Sequence, residues 1–365
     1  MPESILQLSR TVEELILKAL GLEGIDKDNL NIYQNRIDSL RKEMAILAQK
    51  FIEQEFIESK LPDAYLALNF PANIIKTEWV VGKLKKIYGD SLPHQALNVL
   101  DAGCGEGAGT IGIFNSLKDI KDINFLGVDA STAMINRYRK FTQSLEINAK
   151  SSVENIDKSF FKKFQSQYDI IILSNILGEI SGNKLNLIKS ALTSLHSPGI
   201  LIIIEPALKF NARSLMEIKS KLKIGNVILP CNHNSPCPLL KKKHEWCYQS
   251  IPWVVPQYLE LLNRKLFRDL RYLKFSYLII AKSIETKPKI IPVISPVWEE
   301  KGRKRFFICL NGKRIECIRS NKDESDENRV LDSIIKGDHI QLDNFLKRTE
   351  ESYLVLKETK IKMVC

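Results

Sequence analysis

The sequence contains no apolar run long enough to cross a membrane as a helix. Such a helix needs roughly 20 consecutive apolar residues, and the longest apolar stretches, around Ile170–Leu173 and Ile200–Ile204, are far shorter. The first 20 residues contain acids early and no signal-peptide core, and they are too acidic for a typical transit peptide. These absences predict a cytoplasmic protein with no membrane partner.

The sequence also has too few acids to balance its bases. It contains 54 Lys and Arg against 43 Asp and Glu, which leaves a net charge of +11. A surplus of this size favours a polyanionic partner, most commonly nucleic acid, although a lysine-rich surface that only faces water is the alternative. The candidate contacts are Lys241–Lys243, a predicted helix carrying Arg264, Lys265, Arg268 and Arg271, and Arg303–Arg305.

Internal repeats and long low-complexity tracts are absent, so hydrophobic periodicity defines the parts of the chain. In residues 1–75 the apolar pattern predicts a helical cap, because apolar residues recur at helical spacing at Leu40, Met44, Leu47 and Phe51.

Residues 76–283 alternate strands with helices, which predicts an α/β domain. The strands are almost continuously apolar, as in a parallel sheet that is covered on both faces. They span residues 96–103, 124–130, 168–175 and 199–206, with helices near 108–118, 131–144 and 182–196. Helices are also predicted at 210–222 and 256–271, and a strand at 275–283.

Residues 284–365 form a last unit, which begins with a linker holding Pro288, Pro292 and Pro296 and continues into a predicted β-hairpin. Asn311-Gly312 supplies the two positive-φ positions of a type I′ turn. With this turn, alternation puts one set of side chains on an apolar face, namely Phe306, Ile308, Ile315 and Cys317. The opposite, outward face carries Phe307, Cys309, Arg314 and Glu316.

A glycine loop, VLDAGCGEGAGT, follows the first strand of the α/β domain. Gly103, Gly105 and Gly107 permit a tight turn and the close approach of a ligand, a pattern that dinucleotide-binding folds share. Asp101 and Glu106 would repel a pyrophosphate, whereas S-adenosylmethionine carries an ammonium and a sulfonium and no phosphate. The acidic loop therefore favours S-adenosylmethionine.

This loop resembles motif I of the seven-stranded class I methyltransferases, which implies a Rossmann-like fold. The resemblance places Asp101, Gly103, Gly105 and Gly107 at the methionine end of the ligand. It places Asp129, at the end of the next strand, on the ribose, and Asn155 near the adenine.

The motifs name no catalytic residue. Amino-methylating enzymes that act on bases often carry an Asn/Asp-Pro-Pro-aromatic box after the fourth strand, and Ser174–Glu179 contains neither proline nor an aromatic residue. Pro236-Cys237 superficially fits a cytosine C5 methyltransferase but follows the fifth strand, in the wrong part of the fold.

Three of the seven cysteines, Cys231, Cys237 and Cys247, crowd into CNHNSPCPLLKKKHEWC. Their spacing excludes a C-x₂-C zinc knuckle, and a reducing compartment disfavours disulfides, so clustered thiols favour a metal site. The candidates for a fourth ligand are His233, His244, Cys104, Cys309, Cys317 and Cys365. The hairpin favours Cys309, since Cys317 lies on the apolar face. Four thiolates suit either zinc or an iron–sulfur cluster, and the spacing of the cysteines does not distinguish the two.

Segments through most of the chain resemble the Rsm-type methyltransferase-like proteins of the small ribosomal subunit, found in mitochondria and bacteria. Besides the glycine loop, they are LPDAYLAL (61–68), IIIEPA (202–207), LPCNHNSPCPL (229–239), EWCYQS (245–250), KFSYLIIAKS (274–283), ICLNGK (308–313) and KGD (336–338). The sequence departs from the family pattern at Asn232, at Tyr248-Gln249 and at Lys336, where the family has proline, His-Phe and tryptophan.

The resemblance implies a class I methyltransferase domain with an N-terminal helical cap, a Cys-rich metal-binding insertion at 229–250 and a small C-terminal β unit. It implies a 4Fe-4S cluster on Cys231, Cys237, Cys247 and Cys309, with zinc as the alternative. It also implies binding to the rRNA of immature small subunits, by a protein that we expect to be monomeric when free. A non-enzymatic assembly factor and an active rRNA methyltransferase both fit, and a small-molecule methyltransferase fits less well.

Overall fold

A computed structural model describes residues 6–53, 61–92, 96–157, 159–180, 182–287 and 289–364 of the chain. Pro288, Cys365 and the side chain of Phe51 lie outside the described residues. The α-helices are α1 (Arg10–Leu20), α2 (Gln34–Ile52), α3 (Pro62–Tyr88), α4 (Ala108–Ser116), α5 (Thr132–Ser144), α6 (Lys184–Thr193), α7 (Lys209–Lys221) and α8 (Gln257–Asn263).

The strands of the central sheet are β1 (Leu6–Gln7), β2 (Leu97–Ala102), β3 (Ile123–Asp129), β4 (Ala149–Val153), β5 (Tyr168–Ser174), β6 (Leu195–Pro206), β7 (Asn226–Leu229), β8 (Gln249–Val254) and β9 (Tyr272–Ala281). The later strands are β10 (Ile291–Pro292), β11 (Trp298–Glu300), β12 (Arg303–Leu310), β13 (Lys313–Ser320), β14 (His339–Asp343), β15 (Leu346–Thr349), β16 (Ser352–Val355) and β17 (Lys360–Met363).

The central sheet is a doubly wound, mostly parallel sheet. Its order is β1-β8-β9-β6-β5-β2-β3-β4, and β7 also pairs with β9. Strands β2 to β6 are mutually parallel, whereas β9 runs antiparallel to β6. The expected seven strands correspond to β2–β7 and β9, and β8 and β1 extend the sheet to nine. Successive strands are added outward on one side of β2 up to β4 and on its other side from β5 onward, so the strand order reverses between β2 and β5. Ligands bind at such switch points in open α/β sheets.

The N-terminal region is helical, as predicted, and α3 joins it to the sheet. The boundary expected at residue 75 falls inside α3. This helix packs closely on α4, where a Cβ at Gly112 would stand 2.6 Å from the Cβ of Thr77. Glycine is therefore required at this crossing. The contact brings the first turns of α3, including Tyr65, to the carboxyl edge of the sheet.

The C-terminal unit contains two small sheets around one apolar core. One has the order β10-β14-β17 and the other β11-β12-β13-β16-β15. The predicted hairpin is confirmed: Phe306 pairs with Cys317 and Cys309 with Arg314, and Asn311 and Gly312 both have positive φ. Cys317 is fully buried in the core of this unit, also as predicted.

Two expectations from the sequence are wrong. The basic helix predicted at 256–271 ends at Asn263, and Arg264–Arg271 is irregular, with Phe267 at a φ of +50°. Cys309 lies on the face of the hairpin opposite the core, but it is buried and does not face solvent. The turn of the hairpin packs on residues 233–236, which cover that face.

Within the described residues, no helix is both long and apolar enough to span a membrane.

Candidate functional site

A cleft of about 360 Å³ lies at the switch point of the sheet. The glycine loop forms one wall, with φ of +79° at Gly103, +52° at Gly105 and +100° at Gly107. Gly103 and Gly105 line the cleft, whereas Gly107 precedes α4 and contacts the ring of Tyr138. Three positive φ values within five residues explain why this turn requires glycine.

Asp129 and Asn155 line the same cleft as Gly103 and Gly105. The Asp129 carboxylate accepts hydrogen bonds from the backbone N–H of Gly105 at 3.0 Å and of Ser131 at 2.8 Å. Asn155 follows β4 and lines the cleft with Ile156 and Asp157. The structure therefore brings Gly103, Gly105, Asp129 and Asn155 together at one site.

Asp101 lies behind the loop and does not line the cleft. Its side chain is 1% exposed, and Oδ2 accepts hydrogen bonds from the backbone N–H and the hydroxyl of Thr110, both at 2.8 Å. Oδ1 has no hydrogen-bond partner among the described residues. Burial, with a smaller contribution from Asp129, raises the pKa of Asp101 to about 6. A cation at this place would satisfy Oδ1 and favour the ionised form.

Glu106, the second acid of the glycine loop, is not available to a ligand. Its buried carboxylate pairs with Arg137 at 2.7 Å, and Arg137 also contacts Asp63 at the start of α3. The pair therefore ties the glycine loop to the N-terminal helices. Burial raises the pKa of Glu106 to about 7.

Glu205 was not among the predicted site residues, although it lies within the IIIEPA motif. It holds the opposite wall of the cleft. It is 2% exposed, and its two oxygens accept hydrogen bonds from the Leu177 N–H at 2.9 Å and the Asn211 side chain at 3.1 Å. Ile176, Glu179 and Ile180, on the same loop as Leu177, line the cleft. A carboxylate within the apolar run IIIEP was the signal for this role.

A second cavity, of about 60 Å³, is lined by Cys231, Cys237, Cys247 and Cys309. The first three lie between β7 and β8, and Cys309 comes from β12. Burial raises the pKa of the Cys237 thiol to about 11 and that of Cys247 to about 12, and neighbouring thiols contribute to both shifts. No three His, Cys, Asp or Glu side chains in the described ranges are arranged to hold a metal ion.

Two lysines, Lys219 and Lys336, line the four-cysteine cavity. Lys219 is 2% exposed, donates to the Ser235 carbonyl and lies 3.3 Å from Nδ1 of His233. Nε2 of His233 lies 3.4 Å from the Cys309 sulfur. Burial, reinforced by Lys219, lowers the pKa of His233 to about 4, so this imidazole is neutral at pH 7.

The other candidate ligands lie away from this cavity. Cys104 packs against Ile135 and Tyr138 beneath the glycine loop, and Cys317 lies in the C-terminal core. His244 is exposed beside the lysine run. Cys365 lies outside the described residues.

The basic clusters differ in how far neighbouring acids neutralise them. Lys241–Lys243 are exposed, and Arg213 holds this segment by donating to the carbonyls of Leu240, Lys242 and Glu245. By contrast, the side chains of Arg303–Arg305 form salt bridges with Glu299, Glu300, Glu316 and Asp332. The third cluster is therefore the weakest candidate for contact with a polyanion.

Several solved structures are similar to this chain, all at low sequence identity. The plantazolicin methyltransferase BpumL, in complex with SAH and a desmethyl analogue of plantazolicin, is 14% identical, with a TM-score of 0.38, over 68% of this chain and 100% of that chain. A Pyrococcus horikoshii protein assigned as an RNA methyltransferase is 12% identical, with a TM-score of 0.36, over 58% and 83%. A SAM-dependent methyltransferase from Aquifex aeolicus is 14% identical, with a TM-score of 0.32, over 42% and 91%.

No curated protein matches the chain significantly. A family model does match: residues 61–329 fit the family described as mitochondrial small ribosomal subunit Rsm22. The matched residues include the glycine loop, Asp129, Glu205 and all four cysteines of the small cavity. The chain therefore belongs to the Rsm22 family.

Proposed function

We propose that this protein binds S-adenosylmethionine in the cleft at the switch point and acts on the small ribosomal subunit by binding its rRNA. The observation that carries the proposal is the buried Asp101, whose Oδ1 lacks a partner among the described residues. The membership of the chain in a family of the mitochondrial small ribosomal subunit supports the ribosomal part.

The acidic groups at and behind the cleft suit a ligand that is cationic at one end. Asp101 lies behind the glycine loop, and its Oδ1, which has no partner among the described residues, is the proposed acceptor for the methionine ammonium. The Gly103–Gly107 turn lies against the methionine chain. Asp129 keeps its carboxylate at the cleft wall, where it accepts from ribose hydroxyls, and Asn155 contacts the adenine. When bound, the ligand would supply an electrophilic methyl group on a sulfonium. A nucleophile of the acceptor would bond to the methyl carbon as the carbon–sulfur bond breaks, and its electron pair would stay on the sulfur. The protein contributes binding and orientation.

The four-cysteine cavity is the proposed site of a 4Fe-4S cluster held by Cys231, Cys237, Cys247 and Cys309. Four thiols surround this cavity. Four thiolates suit an iron–sulfur cluster or a zinc ion. The cluster is proposed because the resemblance of residues 229–250 to the family's cysteine motif implies it, and zinc is the alternative. Bound there, the cluster would link the insertion to the C-terminal unit.

The rRNA contacts are proposed at the two basic clusters that acids leave least neutralised. Lys241–Lys243 lie on the segment braced by Arg213, and Arg264–Arg271 lie on the irregular loop after α8. We place the protein in the mitochondrial matrix, or in the cytoplasm of a bacterium, as a monomer when free. Sedimentation of the protein with purified small subunits, and size exclusion without them, test these assignments.

Binding of S-adenosylmethionine, measured by titration calorimetry, tests the cleft. The wild-type protein is expected to bind, and Asp101→Asn to bind at least about 10-fold more weakly, since a charge-assisted hydrogen bond is lost. Asp122→Asn, at an exposed acid that precedes β3 at the opposite edge of the sheet, is the control with unchanged affinity. Equal affinity of Asp101→Asn and wild type would remove the basis of this assignment.

Two modes of action remain within the proposal, an assembly factor that only binds and an active rRNA methyltransferase. Methyl-labelled S-adenosylmethionine added to purified immature small subunits separates them. Incorporation into rRNA that is lost in Asp101→Asn establishes the enzyme, whereas binding of subunits without incorporation establishes the assembly factor.

A further inference from the structure

A third cavity, of about 300 Å³, adjoins the proposed S-adenosylmethionine cleft. Tyr65 and Asn175 line both spaces and form the boundary between them. We call this third space the basic cavity. Its remaining lining residues are Leu47, Ala48, Leu68, Asn69, Asn73, Lys76, Pro206, Ala207, Leu208, Arg268 and Lys274.

The basic cavity lies where a methyl acceptor would have to lie. Asn175 directly follows β5, and Pro206 ends β6, so the cavity opens at the carboxyl ends of strands beside the switch point. Asn175 has a φ of +57°, an uncommon conformation for a residue other than glycine. Such outliers cluster at functional sites, because the surrounding structure must hold them in place.

The charge in this cavity is of one sign. Lys76 is half-buried, and Arg268 and Lys274 are exposed at its mouth. Among the described residues, no Asp or Glu lines the cavity, and no carboxylate forms a salt bridge with these three side chains. The nearest acid along the chain, Asp269, pairs with Arg271 at 2.8 Å and interacts with Lys274 only at longer range. Three cations that line one space, where no described acid lines it, favour an anionic ligand.

Lys76 is the best-positioned of the three cations. Its Nζ donates to Oδ1 of Asn73 at 3.0 Å, and the Asn73 amide donates to the Tyr65 hydroxyl at 3.1 Å. This chain of hydrogen bonds directs Lys76 along the wall that the two spaces share. Burial lowers the pKa of Lys76 to about 8, because desolvation disfavours the charged ammonium. An anion nearby would stabilise the charged form and raise this pKa again.

We propose that the basic cavity binds a phosphate group of the methyl acceptor, with Lys76 inside and Arg268 and Lys274 at the mouth. The inference rests on the proposed function, because it identifies the cavity as the acceptor side of the same site. A phosphate carried by a free nucleotide and one within an RNA strand present the same chemistry, which the tests below separate.

Binding of cytidine 5′-monophosphate, with saturating SAH in the cleft, tests the inference by calorimetry. The mononucleotide should bind, and cytidine, which lacks the phosphate, should bind at least about 10-fold more weakly. Lys76→Met and Arg268→Gln should each weaken binding of the mononucleotide by a similar factor. Lys86 is an exposed lysine of the same helix as Lys76, and Lys86→Met should leave this affinity unchanged. Because Arg268 is exposed, its variant reports on binding even if Lys76→Met is unstable.

A short single-stranded oligocytidylate and inorganic phosphate are the other probes. Tighter binding of the oligonucleotide than of the mononucleotide identifies an RNA strand as the source, and equal affinity identifies a free nucleotide. The inference is overturned if none of the three phosphates binds, or if binding is the same in Lys76→Met, Arg268→Gln and wild type. Normal SAH binding in these variants separates that outcome from failure of the cleft itself.

Discussion

The ammonium of Lys336 lies 3.3 Å from the centre of the Tyr248 ring, and both residues line the four-cysteine cavity. Gln249 joins this pair by donating to the Lys336 carbonyl at 3.2 Å. These are three of the positions at which the sequence departs from the family motifs. Their mutual contact shows that the substitutions form one local unit, in which a cation over an aromatic ring replaces the histidine and tryptophan of the pattern.

Removing the charge of Lys336 should make the proposed cluster harder to reduce. A nearby positive charge favours the added electron, so Lys336→Met should lower the reduction potential. A lost interaction of about 1 kcal/mol corresponds to roughly 40 mV for one electron. The measurement is a redox titration followed by electron paramagnetic resonance. Lys301→Met, on the exposed β11–β12 turn, is the control, and an equal shift in both variants would contradict a local effect of Lys336.

Serine substitutions at two cysteines of one hairpin should separate metal ligation from packing. Cys309 lines the four-cysteine cavity, whereas Cys317 lies on the other face, within the C-terminal core. Anaerobically purified wild-type protein should be brown and contain iron and acid-labile sulfide. Cys309→Ser should lose both. Cys317→Ser should keep them and lose on the order of 1–3 kcal/mol of stability, because a buried hydroxyl replaces a weakly polar thiol.

The opposite pattern, with metal lost only in Cys317→Ser, would refute the assignment of the hairpin faces. Colourless protein with one stoichiometric zinc would keep the four ligands and replace the cluster. Iron and zinc analysis on the same samples distinguishes these outcomes.

The central sheet was predictable because its strands are buried on both faces and therefore almost continuously apolar. The pairing of Cys309 with Arg314 was predictable too, since a two-residue turn determines hairpin register. Strand β4 was harder to locate, because AKSSV is a half-exposed edge strand without an apolar signal. The predicted length of α8 was too great, because the basic residues after Asn263 were assigned to the helix, which ends at Asn263.

The contacts that define the site could not be predicted from local sequence patterns. Arg137 neutralises Glu106 across 31 residues of sequence, and α3 brings Tyr65 and Lys76 to the edge of the cleft. These arrangements depend on how helices pack on the sheet, which spacing along the chain does not encode. The basic cavity could therefore be recognised only from the structure.

Replacing Glu205 should change how stability depends on pH. Burial raises the pKa of Glu205 to about 7, above its usual value of 4.5. Between these values the folded state binds more protons than the unfolded state, so this group's stabilisation is complete below pH 4.5 and declines as pH rises to 7. Glu205→Gln should lack this decline, which is at most about 1.4 kcal/mol per pH unit.

Denaturant unfolding of wild type and Glu205→Gln at several pH values measures the difference. The advantage of wild type over the variant should be largest at low pH and shrink towards neutrality. A difference that stays constant with pH would show that Glu205 ionises normally in the folded protein. Glu205→Ala, which also releases the Leu177 loop, should additionally weaken S-adenosylmethionine binding.

Phe267 should be the residue of the irregular basic loop on which an RNA base stacks. Its side chain is 90% exposed, so an apolar ring lies in solvent. Its φ is +50°, a backbone conformation that costs about 1 kcal/mol for a residue other than glycine. Arg264, Lys265 and Arg268 surround it in sequence. Exposed aromatic rings among cations are typical of single-stranded RNA sites, and each stacked base contributes roughly 1–3 kcal/mol.

Phe267→Ala should therefore weaken binding of a short single-stranded oligoribonucleotide by about 5- to 100-fold in a fluorescence polarisation assay. Phe210→Ala is the matched control, because Phe210 is also exposed, at 53%, and lies on α7 beside Lys184. Its affinity should equal that of wild type. An equal loss in both variants would indicate a general effect of surface aromatics, and no loss in Phe267→Ala would remove this loop from the RNA contact. Because stacking is uncharged, the salt dependence of binding should stay the same in Phe267→Ala and become shallower in Arg268→Gln.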